Sequence, residues 1–207
     1  GRSKGRLLPL AITGNNLQGI TYEMPVKSAQ VKSALLLAGM VAEGETTIIE
    51  QVKTRDHTEQ MLPQFGGEIS IQDKEITIQG GQQLQPADLA VPGDISSAAF
   101  FLVAAAIIPG SSILVEDVGI NPTRTGLIKA LEMMGADITV KETRQIGGEA
   151  VGNVEIKYQE LTGAVIEGEM IPSLIDELPI LALAATQASG VTKIKDAGEL
   201  RVKELRQ

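Results

Sequence analysis

One stretch of this chain is written three times, and that repetition limits the fold more than any motif does. Residues 28–50, SAQVKSALLLAGMVAEGETTIIE, read as a helix, a glycine turn and a short strand. Residues 96–116, SSAAFFLVAAAIIPGSSILVE, and 175–196, IDELPILALAATQASGVTKIKD, follow the same plan. In each, an Ala/Leu-rich helix stops a little before Gly44, Gly110 or Gly190, and a β-leaning run closes on Glu50, Glu116 or Asp196. The glycines are 66 residues apart (110 minus 44) and then 80 (190 minus 110). A repeated supersecondary unit buries its apolar face against its neighbours, so the unit decides the architecture.

The 207 residues suffice for one large domain or two smaller ones. Aromatic residues make up 2% and there is no Trp, so the core must come from Ala, Leu, Ile and Val, which suits closely spaced helices. A net charge of −8 argues against nucleic acid as the main partner but leaves room for a local anion site. With no Cys there is no disulfide framework or thiolate chemistry, and a single His speaks against a dedicated zinc site. No apolar run reaches about 18 residues, and the opening GRSKGRLLPLAI has no signal-peptide pattern. A cytoplasmic protein is expected.

In chain order, residues 7–12 and 20–24 read as strands around the turn Gly14-Asn15-Asn16. Ser28 caps a helix with Val31, Leu35, Ala38 and Val41 on one face. Residues 34–40, 98–108 and 178–185 are apolar on nearly every side, which predicts helices buried all round. Asp56 or Thr58 caps a short helix that Pro63 shortens or kinks and Gly66-Gly67 ends. Strands 68–71 and 75–78 form a hairpin through Asp73-Lys74. In the second copy, strand 112–115 leads to a helix with Leu127, Ile128, Leu131 and Met134 inward and Lys129 and Glu132 outward; Gly135 ends it. Strand 137–140 follows, then an irregular Gly-rich excursion over 142–152, then strand 154–158. The expected fold is α/β, built from β-α-β-α-β-β units, two complete and a third begun. After the Gln/Gly/Pro-rich residues 80–92, Pro92-Gly93 suggests a lobe boundary, with 1–93 in one lobe and 94–207 in the other; an ordinary inter-repeat loop fits the punctuation equally well.

Four places can carry chemistry. Ser28-Ala29-Gln30 opens a buried helix, where unbonded N–H groups, the hydroxyl and the helix dipole can hold an anion; plain N-capping is the simpler reading. Arg55 stands just before the next helix start and its planar fork suits phosphate, although pairing with Asp56 explains it too; His57 reads as a capping or loop residue. Asp176-Glu177 begins the apolar third helix, so these carboxylates either cap it or have their proton affinity tuned for acid–base work. Arg201-Val202-Lys203-Glu204 alone reads as a solvated loop. All four fall at a helix start or just after the strand of their unit.

Taken together, VKSAQVKSALLLAG, TRDHTEQMLPQFGG, PGDISSAAFFLVAAAI, NPTRTGLIKALEMMGADI, IDELPILALAA and AGELRVKE closely resemble the bacterial type of 5-enolpyruvylshikimate-3-phosphate synthase, in family order over essentially the whole chain. The related UDP-N-acetylglucosamine enolpyruvyl transferase shares the repeat but matches less well. The resemblance implies β-α-β-α-β-β repeats, three to a lobe, with buried helices and outer sheets. It implies transfer of the enolpyruvyl group from phosphoenolpyruvate to the 5-hydroxyl of shikimate 3-phosphate through a tetrahedral intermediate, releasing phosphate. It further implies that no metal or organic cofactor takes part, that the lobes close on the substrates, that glyphosate competes with phosphoenolpyruvate, and that the whole enzyme is a monomer.

Carried over by position, the resemblance gives Ser28 and the Ala29 amide to the phosphate of shikimate 3-phosphate, Gln30 to its ring and Arg55 to a further phosphate contact. Asp176 matches the carboxylate that takes the hydroxyl proton, Lys203 a contact near that hydroxyl, and Glu204 the acid–base residue at the enolpyruvyl methylene. The family continues Lys-Glu with Ser/Thr-Asp-Arg, whereas Leu205-Arg206-Gln207 stands here, so Arg206 is not assigned that arginine's role. The family's N-terminal Lys-Ser motif, Asn-x-Gly-Thr loop and C-terminal basic residues have no counterpart. The expectation is an internal stretch of about half the enzyme, without turnover alone, whose partial repeat favours self-association. A non-catalytic scaffold of the same repeat is the alternative.

Overall fold

A computed structural model describes residues 7–198 and 200. The chain divides into two compact units, one of residues up to Val52 with Gly67–Leu84, the other of Lys53–Gly66 with the residues from Gln85 onward.

The first unit is a four-stranded sheet crossed by one helix. Strand β1 (Thr21–Glu23) runs parallel to β2 (Glu45–Ile49), which requires the crossover that α1 (Ala29–Val41) supplies. Strands β3 (Ile69–Gln72) and β4 (Glu75–Gln79) form a hairpin whose β4 pairs antiparallel with β2, giving the order β1-β2-β4-β3. Asp73, at φ 55°, makes the tight turn. Ile48, Ile76 and Ile78 from β2 and β4 are fully or almost fully buried.

The buried face of α1 is Lys32, Leu36, Gly39 and Met40, not the Val31–Leu35–Ala38–Val41 stripe expected from periodicity. A helix apolar on nearly all sides has no strong preference of its own, so contact with the sheet decides. Gly39 permits that contact: a Cβ there would lie 2.8 Å from the Thr46 Cβ and 2.9 Å from Ile78 Cγ2. The polar cost of facing Lys32 inward is met by Glu50 at the end of β2, 3.2 Å away.

The second unit holds α2 (His57–Met61), a 3-10 turn Leu62–Phe65, α3 (Ile95–Ile107), β5 (Ser112–Gly119), α4 (Gly126–Met133), β6 (Asp137–Ile146), β7 (Glu149–Lys157), β8 (Val165–Ile166), a 3-10 turn Gly168–Ser173, α5 (Leu178–Gln187) and β9 (Lys193–Ile194). As expected, Pro63 converts the short helix to 3-10 form and Gly66, at φ 74°, stops it. The sheet order β5-β7-β6 repeats β2-β4-β3 of the first unit, and parallel β8-β9 repeats β1-β2. A single parallel bridge from Gly93 to Val118 stands where the first repeat has β1.

The repetition reaches individual hydrogen bonds. Gly19 N–H donates to Glu43 O and Glu43 N–H to Leu17 O, at 2.8 and 2.9 Å; Gly163 to Ser189 and Ser189 to Leu161 repeat the pair at 2.8 Å each. The three punctuating glycines, Gly44, Gly110 and Gly190, share a left-handed φ of 90°, 78° and 91°. Leu127, Ile128, Leu131 and Met134 of the α4 region are buried as expected, in one cluster with Leu102, Ala106, Val154, Ile156 and Leu181.

Three further expectations change. Residues 8–12 form no strand, and Leu8 and Ile12 are exposed at 72% and 92%; an apolar alternation supplies a face but not the neighbouring strand that a ladder needs. Residues 142–152 are not an irregular excursion. β6 and β7 run on to Ile146 and Glu149 around Gly147-Gly148, both at positive φ, and a register shift between Lys141 and Arg144 accommodates the extra residues. The apolar helices are not buried on every side: Leu37, Phe100, Phe101 and Leu183 are about half to two-thirds exposed, because each helix meets its sheet and neighbours over part of its circumference.

Candidate active site

In the first unit, α1 begins at a half-exposed Ser28 in extended conformation. Its hydroxyl accepts a long 3.4 Å bond from the Val31 amide and donates to Gln30 Oε1 at 3.1 Å. The first turn carries no acidic residue, and Lys27 precedes it. The capping reading of Ser28 therefore holds, and the helix end still presents donors and a positive dipole to an anion.

In the second unit, Arg55 and Asp176 meet across 121 residues, Nη2 donating to Oδ2. Arg55 does not pair with Asp56, as its neighbour in sequence suggested. Asp56 Oδ1 instead accepts from Asn121 Nδ2 at 2.7 Å, and its Oδ2 from Gln60 at 3.3 Å. The Asp56 side chain gives α2 no cap bond. Arg55 and Asp176 side chains keep 25% and 28% exposure, so both can be reached from solvent.

Glu177 does not cap α5 with its side chain either. It is 2% exposed and accepts from the Ser96 hydroxyl in the first turn of α3. Arg124 donates to that hydroxyl at 2.7 Å and to Asp94 at 3.0 Å. Burial pushes the Glu177 carboxyl above its ordinary range, with the Asp176 charge adding to the rise and the Ser96 bond and the Arg124 and Arg55 charges opposing it. Asp94 behaves in the opposite way. Partial burial raises it, but the bonds from the Ser97 hydroxyl and from the Ser97 and Ser96 amides, with Arg124, outweigh that and hold it below the usual carboxylate range.

His57 opens α2, with Nδ1 2.5 Å from Glu149 Oε1. Asn121 bridges Glu149 and Asp56 from the other side, at 3.1 and 2.7 Å. His57, Asn121 and Glu149 line a cleft of about 290 Å³, with Pro92, Ile95 and Arg124 also facing it. Ser96, Arg124, Asn121 and Glu149 escaped the sequence reading. For Ser96 a signal existed, since it stands 14 residues before Gly110 (110 minus 96) as Asp176 stands 14 before Gly190 (190 minus 176). Lys203, Glu204 and Arg206 lie outside the described residues.

The sheet order, the shared hydrogen-bond pattern and the helix-start positions of Ser28, Arg55 and Asp176 now meet a direct match. A family model described as EPSP synthase (3-phosphoshikimate 1-carboxyvinyltransferase) covers residues 1–206. This chain belongs to the EPSP synthase family. The 3-phosphoshikimate 1-carboxyvinyltransferase of Shouchella clausii is 56% identical over 99% of the chain and 47% of its own length. That of Bacillus pumilus is 54% identical, over 99% and 48%. The chain thus spans about half the length of the curated relatives it matches. An EPSP synthase structure from Acinetobacter baumannii superposes with a TM-score of 0.85 at 49% identity, covering 92% of this chain and 43% of that one. The enolpyruvyl transferase NikO from Streptomyces tendae, at 19% identity and a TM-score of 0.68 over 88% of this chain and 45% of that one, shares the fold. The repeated α/β units are those of the EPSP synthase fold. Among the described residues, no helix is long and apolar enough to cross a membrane.

Proposed function

We propose that this chain contributes the shikimate 3-phosphate half-site to transfer of the enolpyruvyl group from phosphoenolpyruvate, with release of phosphate. The observation that carries the reading is the Arg55–Asp176 contact: an anion-holding fork beside a carboxylate able to take a hydroxyl proton, both open to solvent. A phosphorylated alcohol needs those two functions side by side. The family and the two relatives, at 54 and 56% identity, support the same reaction.

In this scheme the Ser28 hydroxyl and the Ala29 amide hold the phosphate at the start of α1, where the helix dipole favours negative charge. Gln30, exposed in the same turn, meets the ring. Arg55 exchanges part of its bonding from Asp176 to the phosphate, which leaves the carboxylate available for the attacking hydroxyl. Proton transfer from that hydroxyl to Asp176 lets its oxygen attack the enolpyruvyl carbon as the methylene takes a proton from Glu204; Lys203 faces the same hydroxyl. Loss of phosphate from the tetrahedral adduct, together with return of one methyl proton to Glu204, restores the double bond. No metal or organic cofactor enters the scheme. Residues 1–93 and 94–207 belong to two lobes of a cytoplasmic, monomeric enzyme whose cleft takes both substrates and glyphosate.

The test is a heteronuclear NMR titration of the purified chain with shikimate 3-phosphate, with shikimate as control. Shifts at Ser28–Gln30, Arg55 and Asp176 that require the phosphate are expected. Equal responses to both ligands, or none, would overturn the half-site.

A further inference from the structure

Asp176 sits in a turn that is held from two sides, and neither hold belongs to the residues assigned to substrate. On one side, α4 begins against it: a Cβ on Gly126 would stand 2.6 Å from Ser173 Oγ and 2.8 Å from the Leu174 Cβ. On the other side, Glu177 reaches into α3. Its backbone is already committed, N–H to Leu174 O and O from Leu181 N–H, both at 2.9 Å. Its side chain therefore has one task left, and it accepts from Ser96.

The direction of that bond is fixed by chemistry. Ser96 has a single hydroxyl proton. Arg124 can only donate, and it occupies a lone pair of the Ser96 oxygen at 2.7 Å. The hydroxyl must then donate onward, and the group that receives it must be an acceptor. Glu177 Oε1 is that acceptor, while Glu177 Oε2 and Arg124 Nε are buried without a hydrogen-bond partner among the described residues. Such buried polar atoms carry a desolvation cost.

We infer that Glu177 is a positioning residue for Asp176: the relay Arg124 to Ser96 to Glu177 fixes the turn from which Asp176 faces Arg55. The catalytic importance of Asp176 rests on the function proposed above, but the coupling itself does not. An acceptor of glutamate shape is what the relay requires, not a charge. Glu177→Gln keeps a carbonyl oxygen for Ser96 and puts an amide donor where Oε2 is orphaned, whereas Glu177→Ala and Ser96→Ala cut the relay.

The experiment compares these three variants with the parent chain, first without ligand. The readouts are the Asp176 carboxyl carbon shift and the Arg55 guanidinium proton signals, with the amides of α5 reporting the fold. Glu177→Ala and Ser96→Ala should shift the Asp176 carbon and broaden the Arg55 signals, with α5 amides retained; Glu177→Gln should leave both near the parent. If Glu177→Ala fails to fold, Ser96→Ala, which removes one oxygen, carries the comparison. Unmoved Asp176 and Arg55 signals in Ser96→Ala, or a Glu177→Gln spectrum as perturbed as the cut variants, would overturn the inference. Shikimate 3-phosphate is then added. The cut variants should bind about tenfold more weakly, the size of one lost hydrogen bond, and Glu177→Gln within about twofold. If the parent chain ignores shikimate 3-phosphate, the proposed function fails for this chain while the ligand-free comparison still decides the coupling.

Discussion

Lys32 and Glu50 form an ion pair inside the first unit, Nζ to Oε2 at 3.2 Å, with the side chains 0% and 3% exposed. The pair joins the first turn of α1 to the residue that follows β2. Removing one member leaves the other charge in the interior. Lys32→Met should therefore cost about 3–5 kcal/mol, while Lys32→Met with Glu50→Leu should come close to the parent. Urea unfolding of the two variants checks this. Equal losses in both would mean that packing, not charge, holds α1 to its sheet.

Gly19 and Gly163 occupy the same place in two repeats, and both permit close approach of backbone to backbone. A Cβ at Gly19 would lie 2.1 Å from the Glu45 carbonyl oxygen, and one at Gly163 would lie 2.5 Å from the Val191 carbonyl. Neither neighbour is the loose end of a side chain, so the backbone itself must move. Gly19→Ala and Gly163→Ala should each destabilise by about 1–3 kcal/mol or more. Gly14→Ala is the control, with nothing within 4 Å of the added Cβ. It should be neutral or stabilising by up to about 1 kcal/mol through the unfolded chain. Thermal melts separate the two cases.

The raised Glu177 carboxyl predicts a particular pH dependence. Its folded proton affinity exceeds that of the unfolded chain, so between the two values the folded state holds more protons. Stability is then greatest below the ordinary carboxylate range and falls as pH rises through the raised value. Glu177→Gln cannot ionise and should flatten that part of the profile, measured by denaturant midpoints from mildly acidic to neutral pH. A profile unchanged by the substitution would show that Glu177 titrates as an exposed carboxylate does.

Asp94 gives the opposite slope. It caps α3 through the Ser97 amide and hydroxyl, both at 2.9 Å. Its lowered carboxyl contributes stability above the unfolded value, and that contribution is lost as pH falls through the folded value. Asp94→Ala should cost about 0.5–2 kcal/mol at neutral pH, as other N-cap losses do. The difference from the parent should shrink in strong acid. A constant gap across the range would mean that the loss depends neither on the ionised cap nor on Arg124, which donates to the same carboxylate.

Much of the fold was legible because its rules are local. The α4 stripe, the short helix that gives way to a 3-10 turn at Pro63 and the hairpin at Asp73-Lys74 follow from spacing and turn chemistry within a few residues. The long β6-β7 hairpin was misread because Gly147-Gly148 can mark either a disordered loop or a two-residue turn, and only the pairing of Ile146 with Glu149 distinguishes them. The candidate site was legible in part. Ser28, Arg55 and Asp176 stood out by residue type and position, but their partners did not: Arg55 turned to Asp176 rather than to adjacent Asp56, and Glu177 to Ser96 rather than to the end of its own helix.

By itself the sequence determined the repeated unit, the left-handed turns at Gly44, Gly110 and Gly190, and the helix starts at which chemistry can sit, because each depends on backbone freedom and periodicity over a short span. The tertiary structure alone decided which side of α1 is buried, why a lysine can lie there, and how a turn at Asp176 is held by residues of α3 and α4. A nearly uniform apolar helix carries no information about its orientation, and contacts between residues dozens to more than a hundred positions apart are set by which surfaces meet when the repeats pack.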